Sequence, residues 1–354
     1  MQKSRRIVRL LLGAIDYQNQ THDPTKLHVK NLSKHLLRWL AAFVILWIGP
    51  PAKPQTPDTV RIGCYLLSLH NLDFRAQEYT ARFWVWMVYN KELTDLENSL
   101  EIANAKEVSV DEVVIDSLNG KRWVQFKLKC VMKEAWAIQH FPFDNQRLEI
   151  LIENSKYDTE SLVFVPDTTG QLYDPAMTIS GWNIERTRIR VGTSRYDTGF
   201  GETKQPGQTA VYSQLSVTLD VQRNAWGLFV KLFLGMYVAF AIAYVTFFID
   251  AQHADARFGL PVGGLFAAVG NKYVIDGYLP FSSQLTIVDI LHGVTFLAIF
   301  FTVMFSVISL RYDDTGKRRQ SRRTDRKVGI VIIVLYASIN LFMLLRAVLH
   351  VGGG

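Results

Sequence analysis

The stretch that decides the fold is residues 140–146, His-Phe-Pro-Phe-Asp-Asn-Gln or HFPFDNQ. A proline removes a backbone hydrogen-bond donor, so this run cannot be an interior strand. A solvated turn, in contrast, has no need of two phenylalanine rings. The run therefore predicts a loop that presses its apolar rings against another part of the molecule.

The long apolar stretches of the chain lie in its second part. The sequence has 354 residues, 49% of them hydrophobic, and its longest apolar stretches all follow Trp226. A helix of about 20 residues crosses the roughly 30 Å hydrocarbon layer of a bilayer. The stretches predict four transmembrane helices, over residues 227–249, 257–279, 285–310 and 328–351.

The second of these helices is the weakest span, because it carries Asn271, Lys272 and Asp276. A charged residue inside a membrane helix is costly and usually faces a water-filled path or the interior of the bundle. This helix is therefore the most informative of the four.

The charge distribution orients the helices in the membrane. Residues 311–327 contain eight basic and three acidic side chains, and short basic loops of this kind stay cytoplasmic. Alternation from this loop puts the residues before Trp226, and the end of the chain, on the outer side. We expect a multi-pass protein of the plasma or inner membrane, with its N-terminal domain and C-terminus periplasmic or extracellular.

Residues 1–52 read as a basic leader with a segment that resembles a signal peptide. The apolar run 39–48, WLAAFVILWI, follows a basic segment and precedes GPPAKPQ, which is the layout of an export signal. The run is either cleaved, with Ala52 as the candidate residue, or retained as an anchor. Cleavage is the alternative that we favour.

The exported region, residues 53–225, is predicted to be all-β. Short runs rich in β-branched and aromatic residues alternate with Asn, Asp, Gly and Pro. In YSQLSVTLDV, residues 212–221, every second side chain is apolar, as in a strand with one buried face. The fold class is a multi-domain membrane protein, in which an immunoglobulin-like β-sandwich precedes a four-helix transmembrane domain, residues 226–354. The long segment 192–210 is where a binding loop is expected.

No pattern in the sequence is typical of an enzyme or a metal site. It has no phosphate-cradling glycine loop, no nucleophile elbow and no Cys/His cluster with metal-ligand spacing. We predict no enzyme activity, no metal and no cofactor. The basic segments lack interleaved aromatic residues on a folded platform, so we also predict no nucleic-acid partner. Cys64 and Cys130 are either a disulfide, which export permits, or buried small residues, and we favour the latter.

Several short motifs, in this order and spacing, carry a family resemblance. They are Phe-Pro-Phe-Asp at 141–144 with Gln146, Arg223 before the first helix, ARFGL opening the second helix, and Leu-Pro at 279–280 closing it. From residue 57 to its end, the chain resembles the pentameric ligand-gated ion channels, the Cys-loop receptor superfamily, and in particular its bacterial branch.

Two departures from the animal members point to a prokaryotic channel, and a third is a local difference in the first helix. Glu134 and Leu148 stand where animal members have a disulfide. The basic link between the third and fourth helices replaces a long cytoplasmic insert. The proline that many members carry in the first helix is absent near Gly235, which we expect to supply flexibility instead.

The resemblance implies a coupling contact between the sandwich and the helices. The rings of Phe141 and Phe143 would pack against the helix ends and the link near Phe281, while Pro142 fixes the loop, for which a cis peptide bond is one means. Asp144 would face Arg223. Asp73, in the first hairpin, and Pro280 would join this contact. The alternative is that the two phenylalanines form only the base of the sandwich core.

The resemblance also makes the second helix the lining of a pore. Its lumen face would carry small and aromatic residues at helical spacing, namely Gly259, Gly263, Phe266, Gly270, Tyr273 and Gly277. Five copies of Phe266 would form a hydrophobic gate, and Asp255 would favour cations at the inner mouth. Arg257 is expected to turn away from the lumen. Alternatively, the glycines are close-packing contacts between helices.

Ligand binding is implied between neighbouring sandwiches. The principal side would use Asn104, Glu153, Tyr157, Tyr196 and Phe200. The complementary side would use Trp84 or Trp86 together with Trp123. Ser155 replaces the tryptophan of the amine-binding aromatic cage found in animal receptors, although Glu153 still favours a cationic ligand. The alternative is that Trp84, Trp86 and Tyr157 belong to the sandwich core.

These features together predict a homopentameric, cation-selective channel in the membrane lipids, opened by a small-molecule agonist with an amine as candidate. The expected permeant ions are monovalent cations. Two alternatives stay open. One is a proton-gated channel of the same fold, in which His70 and His140 titrate near the coupling contact. The other is a non-conducting exported receptor or interaction protein.

Overall fold

The architecture is that of a computed structural model, which describes residues 56–90, 95–201 and 209–351. The leader at 1–52, with its signal-like run, lies outside the described residues.

Nine strands in the described part of the chain form two sheets. The five-stranded sheet has the order β4-β5-β2-β1-β7, and the four-stranded sheet has the order β3-β6-β9-β8. The pair β1 and β7 is parallel, and the other pairs are antiparallel. The strands are β1 Asp58–Asp73, β2 Glu78–Asn90, β3 Leu100–Ile102, β4 Ala105–Leu118, β5 Lys121–Lys133, β6 Asn145–Asn154, β7 Leu162–Pro166, β8 Trp182–Tyr196 and β9 Ala210–Arg223.

Strict alternation of side chains places the sandwich core between the two sheets. In β9 the predicted apolar set is buried, with Leu215, Val217 and Leu219 fully covered. In β2 the odd-numbered positions are buried, whereas Trp84 and Trp86 lie on the opposite, outer face of the sheet. The five-stranded sheet therefore has one face in the core and one face that carries half-buried tryptophans.

Strand β4 is an element that the sequence did not predict. It is the edge strand of the larger sheet, and its apolar side chains are exposed: Val108 51%, Val110 55%, Val113 47% and Ile115 49%. A β-bulge between Val110 and Glu112 interrupts its register with β5. A strand is predicted from apolar residues that alternate along one buried face. The valines of β4 are exposed and lie among carboxylates, so the sequence shows no such alternation and the strand was missed.

Four apolar helices follow the sandwich, and each is long enough to cross a membrane. They are α1 Ala225–Tyr244, α2 Ala254–Asp276, α3 Ile287–Asp314 and α4 Arg318–Val351. A 3₁₀ turn, Val245–Phe248, continues α1. The predicted fold class, a β-sandwich followed by four transmembrane helices, is confirmed.

Two of the differences from the predicted helix boundaries concern the second helix and the basic segment. Helix α2 begins and ends three residues earlier than predicted, and Leu279 and Pro280 follow it instead of closing it. The basic segment 311–327 is largely helical, since only residues 315–317 separate α3 from α4. Arginine has a high helix propensity, and Gly316, with φ of 76°, allows the tight turn between the two helices.

Cys64 and Cys130 are both free and buried. They lie on β1 and β5, which flank β2 on either side. The alternative of buried small residues is therefore the one that the structure contains.

Candidate functional site

An ion pair joins the Phe-Pro-Phe loop to the end of β9, two residues before α1 begins. Asp144 follows the Phe-Pro-Phe run, and Arg223 is the last residue of β9. Arg223 donates from Nε to Asp144 Oδ1 at 2.7 Å and from Nη2 to Oδ2 at 3.2 Å. The side chain of Asp144 is 2% exposed and that of Arg223 is 11% exposed. The pair that the resemblance implied is therefore present. Its two hydrogen bonds make it bidentate, a geometry that arginine and a carboxylate can form together.

Aromatic rings surround the guanidinium of Arg223. Its central carbon lies 4.0 Å from the ring centre of Trp182, 4.6 Å from that of Phe74 and 5.1 Å from that of Phe141. Each distance is within the range of cation–π attraction. The rings also exclude water from the pair, because Phe74 and Trp182 are themselves buried.

The two phenylalanines of the loop have different partners. Phe143 packs against α1, with ring centres 5.1 Å from Trp226 and 5.5 Å from Phe229. Phe141 instead packs inside the base of the sandwich, 6.2 Å from Phe74. The peptide bond between Phe141 and Pro142 is cis. The expected helix contact is thus made by Phe143, and the alternative of a sandwich-base core describes Phe141.

The link between α2 and α3 meets the loop through a glutamine rather than through Phe281. The side chains of Gln139 and Gln284 are hydrogen-bonded, and the backbone N–H of Ile287 donates to the carbonyl of Gln139 at 3.1 Å. The expected packing of the loop's rings on Phe281 itself is absent in the protomer, because the ring of Phe281 is fully exposed.

Asp73 and Pro280 occupy the edges of this contact. The carbonyl of Asp73 accepts the indole N–H of Trp136 at 2.9 Å, and its carboxylate accepts the N–H of Ala76 at 2.8 Å. Asp73 therefore shapes the first hairpin and ties it to the segment that leads into the Phe-Pro-Phe run. Pro280 is half-buried immediately after α2.

One face of α2 has no cover in the protomer. Phe266 is 71% exposed and Tyr273 81% exposed. A side chain added at Gly259, Gly263 or Gly270 would meet nothing within 4 Å. Gly264 is the close-packing glycine instead, since its added Cβ would lie 2.6 Å from the carbonyl oxygen of Ala239 on α1. The predicted lumen face is therefore separate from the face that packs on α1. Gly277, the last residue predicted for that face, directly follows the helix.

Asp255 and Arg257 point in opposite directions at the beginning of α2. Two residues span about 200° of an α-helix, so their side chains lie on opposite faces. Asp255 is exposed, and Arg257 is 1% exposed. The structure therefore places the carboxylate on the open side of the helix and the guanidinium inside the bundle, as the resemblance implied.

Arg257 is held by residues of α3 and α4. Its Nη2 donates to Asp325 Oδ1 at 2.7 Å and its Nη1 donates to Ser309 Oγ at 3.2 Å. Ser309 also donates to Asp325 Oδ2 at 2.9 Å and lies 2.6 Å from Ser321 Oγ. Asp325 was missed by sequence reasoning. The signal that could have found it is a carboxylate alone in a run of arginines.

Lys272, which had no clear role in the sequence, lies in a three-residue cluster at the outer end of α2. Its Nζ donates to Asp276 at 2.8 Å, at the four-residue spacing that brings two side chains together on one helix face. It also donates to Asp289 Oδ1 at 2.8 Å, on α3. Asp276 therefore shares its charge with a lysine, whereas none of the ion pairs among the described residues involves Asp255.

Aromatic residues gather at the end of β8, the beginning of β9 and residues 197–201. The ring centre of Tyr196 is 5.4 Å from that of Phe200 and 5.9 Å from that of Tyr212. Phe200 is 63% exposed. Tyr196 donates to Glu153 Oε2 at 3.0 Å, and Gln214 donates to Oε1 at 2.5 Å. A hydrogen bond with Ser194 lowers the pKa of Tyr196, but burial and the Glu153 carboxylate raise it overall, so the phenol keeps its proton.

Asn104 and Tyr157, which were also predicted for the principal side, have contacts other than those of the aromatic residues around Tyr196. The amide of Asn104 donates to the carbonyl of Glu149 at 2.8 Å and accepts the N–H of Leu151 at 3.0 Å. It thus pairs with the backbone of β6. Tyr157 is half-buried, with the ammonium of Lys156 5.4 Å from its ring centre, so it is not part of the fully buried core.

The predicted complementary residues share the outer face of the larger sheet. Trp84, Trp86 and Trp123 are half-buried there. Lys127 Nζ lies 5.2 Å from the ring centre of Trp84, and the indole of Trp86 donates to Asp167 Oδ2 at 3.0 Å. Trp84 and Trp86 are therefore not core residues. Within one protomer they lie on the larger sheet, whereas Tyr196 and Glu153 belong to the smaller sheet.

Comparison with known proteins identifies ion channels as relatives. A proton-gated ion channel from Gloeobacter violaceus is 18% identical over 338 residues, which cover 85% of this chain and 90% of the relative. A probable ligand-gated ion channel, number 46, from Caenorhabditis elegans is 23% identical over 178 residues, or 49% of this chain and 32% of the relative. No protein-family model matches the chain.

These relatives, the β-sandwich and the four apolar helices together confirm the resemblance to pentameric ligand-gated ion channels. They support an ion channel and not an enzyme. The chain is a multi-pass membrane protein with an extracellular domain before its first membrane helix.

Proposed function

Taking that resemblance as the premise, we propose that the chain forms a homopentameric, cation-selective channel, which opens when a small molecule binds between adjacent sandwiches. The observation that carries the proposal is the open face of α2. That face presents Asp255, glycines and the rings of Phe266 and Tyr273, while the nearby basic side chain of Arg257 lies on the opposite side.

A ring of five protomers gives this face its function. Cyclic symmetry is the common solution for homo-oligomers, and in a ring the open faces of α2 surround one axis. Gly259, Gly263 and Gly270 leave width for water along that axis. Five copies of Phe266 form an apolar constriction, which blocks ions by excluding water until the helices move.

Asp255 supplies the selectivity. Five carboxylates at the inner mouth attract cations and repel anions, and rings of acidic side chains act in this way in cation channels. The guanidinium of Arg257 does not cancel them, since Asp325 holds it inside the bundle. The permeant ions of the proposed channel are monovalent cations.

The agonist site combines two surfaces of neighbouring protomers. One protomer contributes the aromatic group Tyr196, Phe200 and Tyr212 above the carboxylate of Glu153. Its neighbour contributes the tryptophan face of the larger sheet. A carboxylate beside aromatic rings favours a cation, so the proposed agonist is a small amine.

Coupling runs from this site through the sandwich to α1. Agonist binding shifts the population toward a state for which the agonist has higher affinity. The Asp144–Arg223 pair and the contact of Phe143 with α1 transmit the change, because they join the last strand of the sandwich to the first membrane helix.

Current measurements test the proposal. The full chain is expressed in a cell or reconstituted in a bilayer, and current is recorded for a panel of primary amines, with carboxylates as the opposite charge class. We expect amine-evoked current with a cationic reversal potential. Asp255→Ala should move that potential toward the chloride value. Asp276→Ala is the matched control, since it removes the same charge at the other end of α2 and should move the potential less.

Two further variants separate the sites. Glu153→Gln should reduce the apparent amine affinity without changing the reversal potential, whereas Glu160→Gln, an exposed glutamate beyond the same strand, should change neither. Phe266→Ala should produce a leak without agonist. If surface-expressed protein carries no current under any condition and Phe266→Ala does not leak, the non-conducting receptor is the better function.

Proton gating is the second candidate, and the relative from Gloeobacter violaceus favours it, since that protein is a proton-gated ion channel. His70 lies near the end of β1, close to the first hairpin. His140 lies in the Phe-Pro-Phe loop. Imidazole is the side chain whose ordinary pKa lies nearest to neutral pH. Under pH steps without any amine, His70→Gln and His140→Gln should shift the activating pH if protons gate the channel. Amine-evoked current at fixed pH should then be absent in the parent.

A further inference from the structure

Five arginines form one face at the start of α4. They are Arg318, Arg319, Arg322, Arg323 and Arg326, hereafter the arginine face, and all of them are exposed. At about 100° per residue, their side chains fall within an arc of about 140° around the helix. They line a concavity of about 500 Å³.

The arginine face runs outward from the membrane end of α4, and its part nearest the span lies at the depth of the lipid headgroups. Helix α4 is continuous from Arg318 to Val351, and its apolar part begins at Val328. At 1.5 Å per residue, Arg326 lies about 3 Å and Arg322 about 9 Å before that point along the axis. The headgroup region of each leaflet is about 5 to 8 Å thick, so the arginines nearest the span reach it.

Acidic residues neutralise only part of this charge. Arg318 and Arg322 pair with Asp250 at 3.2 and 3.0 Å. Among the ion pairs of the described residues, none involves Arg319, Arg323 or Arg326. The carboxylate nearest in sequence, Asp325, points into the bundle toward Arg257.

An exposed apolar strip continues the same side of the helix into the membrane. Ile330, Val334 and Leu341 are 53%, 55% and 58% exposed. By the same helical spacing they lie within about 20° of Arg323 and within about 80° of Arg326. A ligand that touches both the arginines and this strip needs an anionic head and a long apolar tail.

We propose that the arginine face binds the phosphate of an anionic phospholipid of the cytoplasmic leaflet, whose acyl chains lie along the strip. Arginine matches phosphate with paired donors, and basic residues at a membrane surface each contribute about 1 kcal/mol to the attraction of anionic lipid. The inference goes beyond channel activity and does not depend on it.

Lipid binding to the purified full chain tests the inference. The protein is prepared in an uncharged detergent, and binding is followed by native mass spectrometry with phosphatidylglycerol, phosphatidylcholine or inorganic phosphate as the probe. We expect phosphatidylglycerol to bind, and to bind less well at high salt. The other two probes should bind far more weakly, since one lacks net charge and the other lacks a tail.

The variant Arg319→Gln/Arg323→Gln/Arg326→Gln removes charge without breaking any of the ion pairs given above. Each arginine accounts for about fivefold in affinity, so the triple variant should bind phosphatidylglycerol on the order of 100-fold more weakly. Arg319→Lys/Arg323→Lys/Arg326→Lys keeps the charge and should retain most of the binding. The matched control Arg186→Gln/Arg190→Gln/Arg195→Gln removes exposed arginines of β8 and should bind like the parent.

Three outcomes would overturn the inference. The first is equal binding of phosphatidylglycerol by the glutamine variant and the parent. The second is equal loss of binding in the β8 control, which would show a general charge effect. The third is binding of inorganic phosphate as tight as that of the lipid, which would assign the face to a soluble anion.

Discussion

Removing the carboxylate of Asp325 should destabilise the protein strongly. In Asp325→Asn the guanidinium of Arg257, 1% exposed, keeps its charge, because arginine does not deprotonate in proteins. Removing one partner of a buried ion pair costs about 3 to 5 kcal/mol. At about 2 °C or more for each kcal/mol, the melting temperature should fall by about 6 °C or more.

A double variant distinguishes the loss of a counter-charge from a general packing defect. Replacing a buried ion pair by apolar residues of similar size is often close to neutral, so Arg257→Met/Asp325→Leu should recover most of the lost stability. Ser309 and Ser321 remain satisfied in it, since their hydroxyl oxygens are 2.6 Å apart.

The assay is the fraction of assembled protein that survives heating, measured by size-exclusion chromatography in detergent. Asp250→Asn is the control, because its pairs with Arg318 and Arg322 are exposed and exposed pairs contribute little. The reasoning is refuted if Asp325→Asn melts like the parent, or if the double variant melts as low as the single one.

Three other predictions follow from the sandwich. Arg223→Lys should raise the agonist concentration for half-maximal current about tenfold, equivalent to about 1.4 kcal/mol, because lysine cannot form the bidentate, ring-stacked pair; unchanged dose–response curves would contradict this. Burial raises the pKa of Glu97, but a hydrogen bond from Tyr89 and other partners hold it below its ordinary 4.5. Glu97 therefore stabilises the fold at neutral pH, and this contribution is lost as pH falls below about 4.5. Glu97→Gln should lower the melting temperature at pH 7 more than at acidic pH, and a constant difference would be the wrong result. Burial raises the pKa of the Cys130 thiol to about 12 and that of Cys64 further still; a maleimide should label both only after denaturation, and labelling of the native protein would disagree.

The parts of the fold with one buried face were predictable from the sequence. Strand β9 shows its alternation directly, and the four membrane helices follow from their length and composition. Strand β4 was not predictable in this way, since its valines are exposed at the edge of the sheet. Neither was the helical continuation of α4 through its arginines, because an exposed helix without an apolar stripe has no hydrophobic period.

The candidate site was predictable where a short motif fixed the partner. Asp144 and Arg223 each belong to a motif, and their pairing is present. Asn104 was assigned to the ligand side only by analogy of position, and in the structure its amide bonds the backbone of β6. The partner of Arg257 is 68 residues away on another helix, and a sequence pattern gives the face of a helix but not the helix that packs on it.

The arginines of this chain divide by burial into two groups with different roles. The side chain of Arg257 is 1% exposed and that of Arg223 is 11% exposed, and each is paired with a single aspartate on another element. Because an uncompensated buried charge is so costly, each pair restricts how two elements can separate: the Phe-Pro-Phe loop from the end of β9 in one case, and α2 from α4 in the other. The exposed arginines of α4 carry no such restriction and remain available to the membrane surface. Asp325 lies on the same two turns of α4 as these arginines, yet its carboxylate points into the bundle and pairs with Arg257. The same short segment of α4 therefore carries both kinds of charge: one that fixes the packing of α2 and one that faces outward.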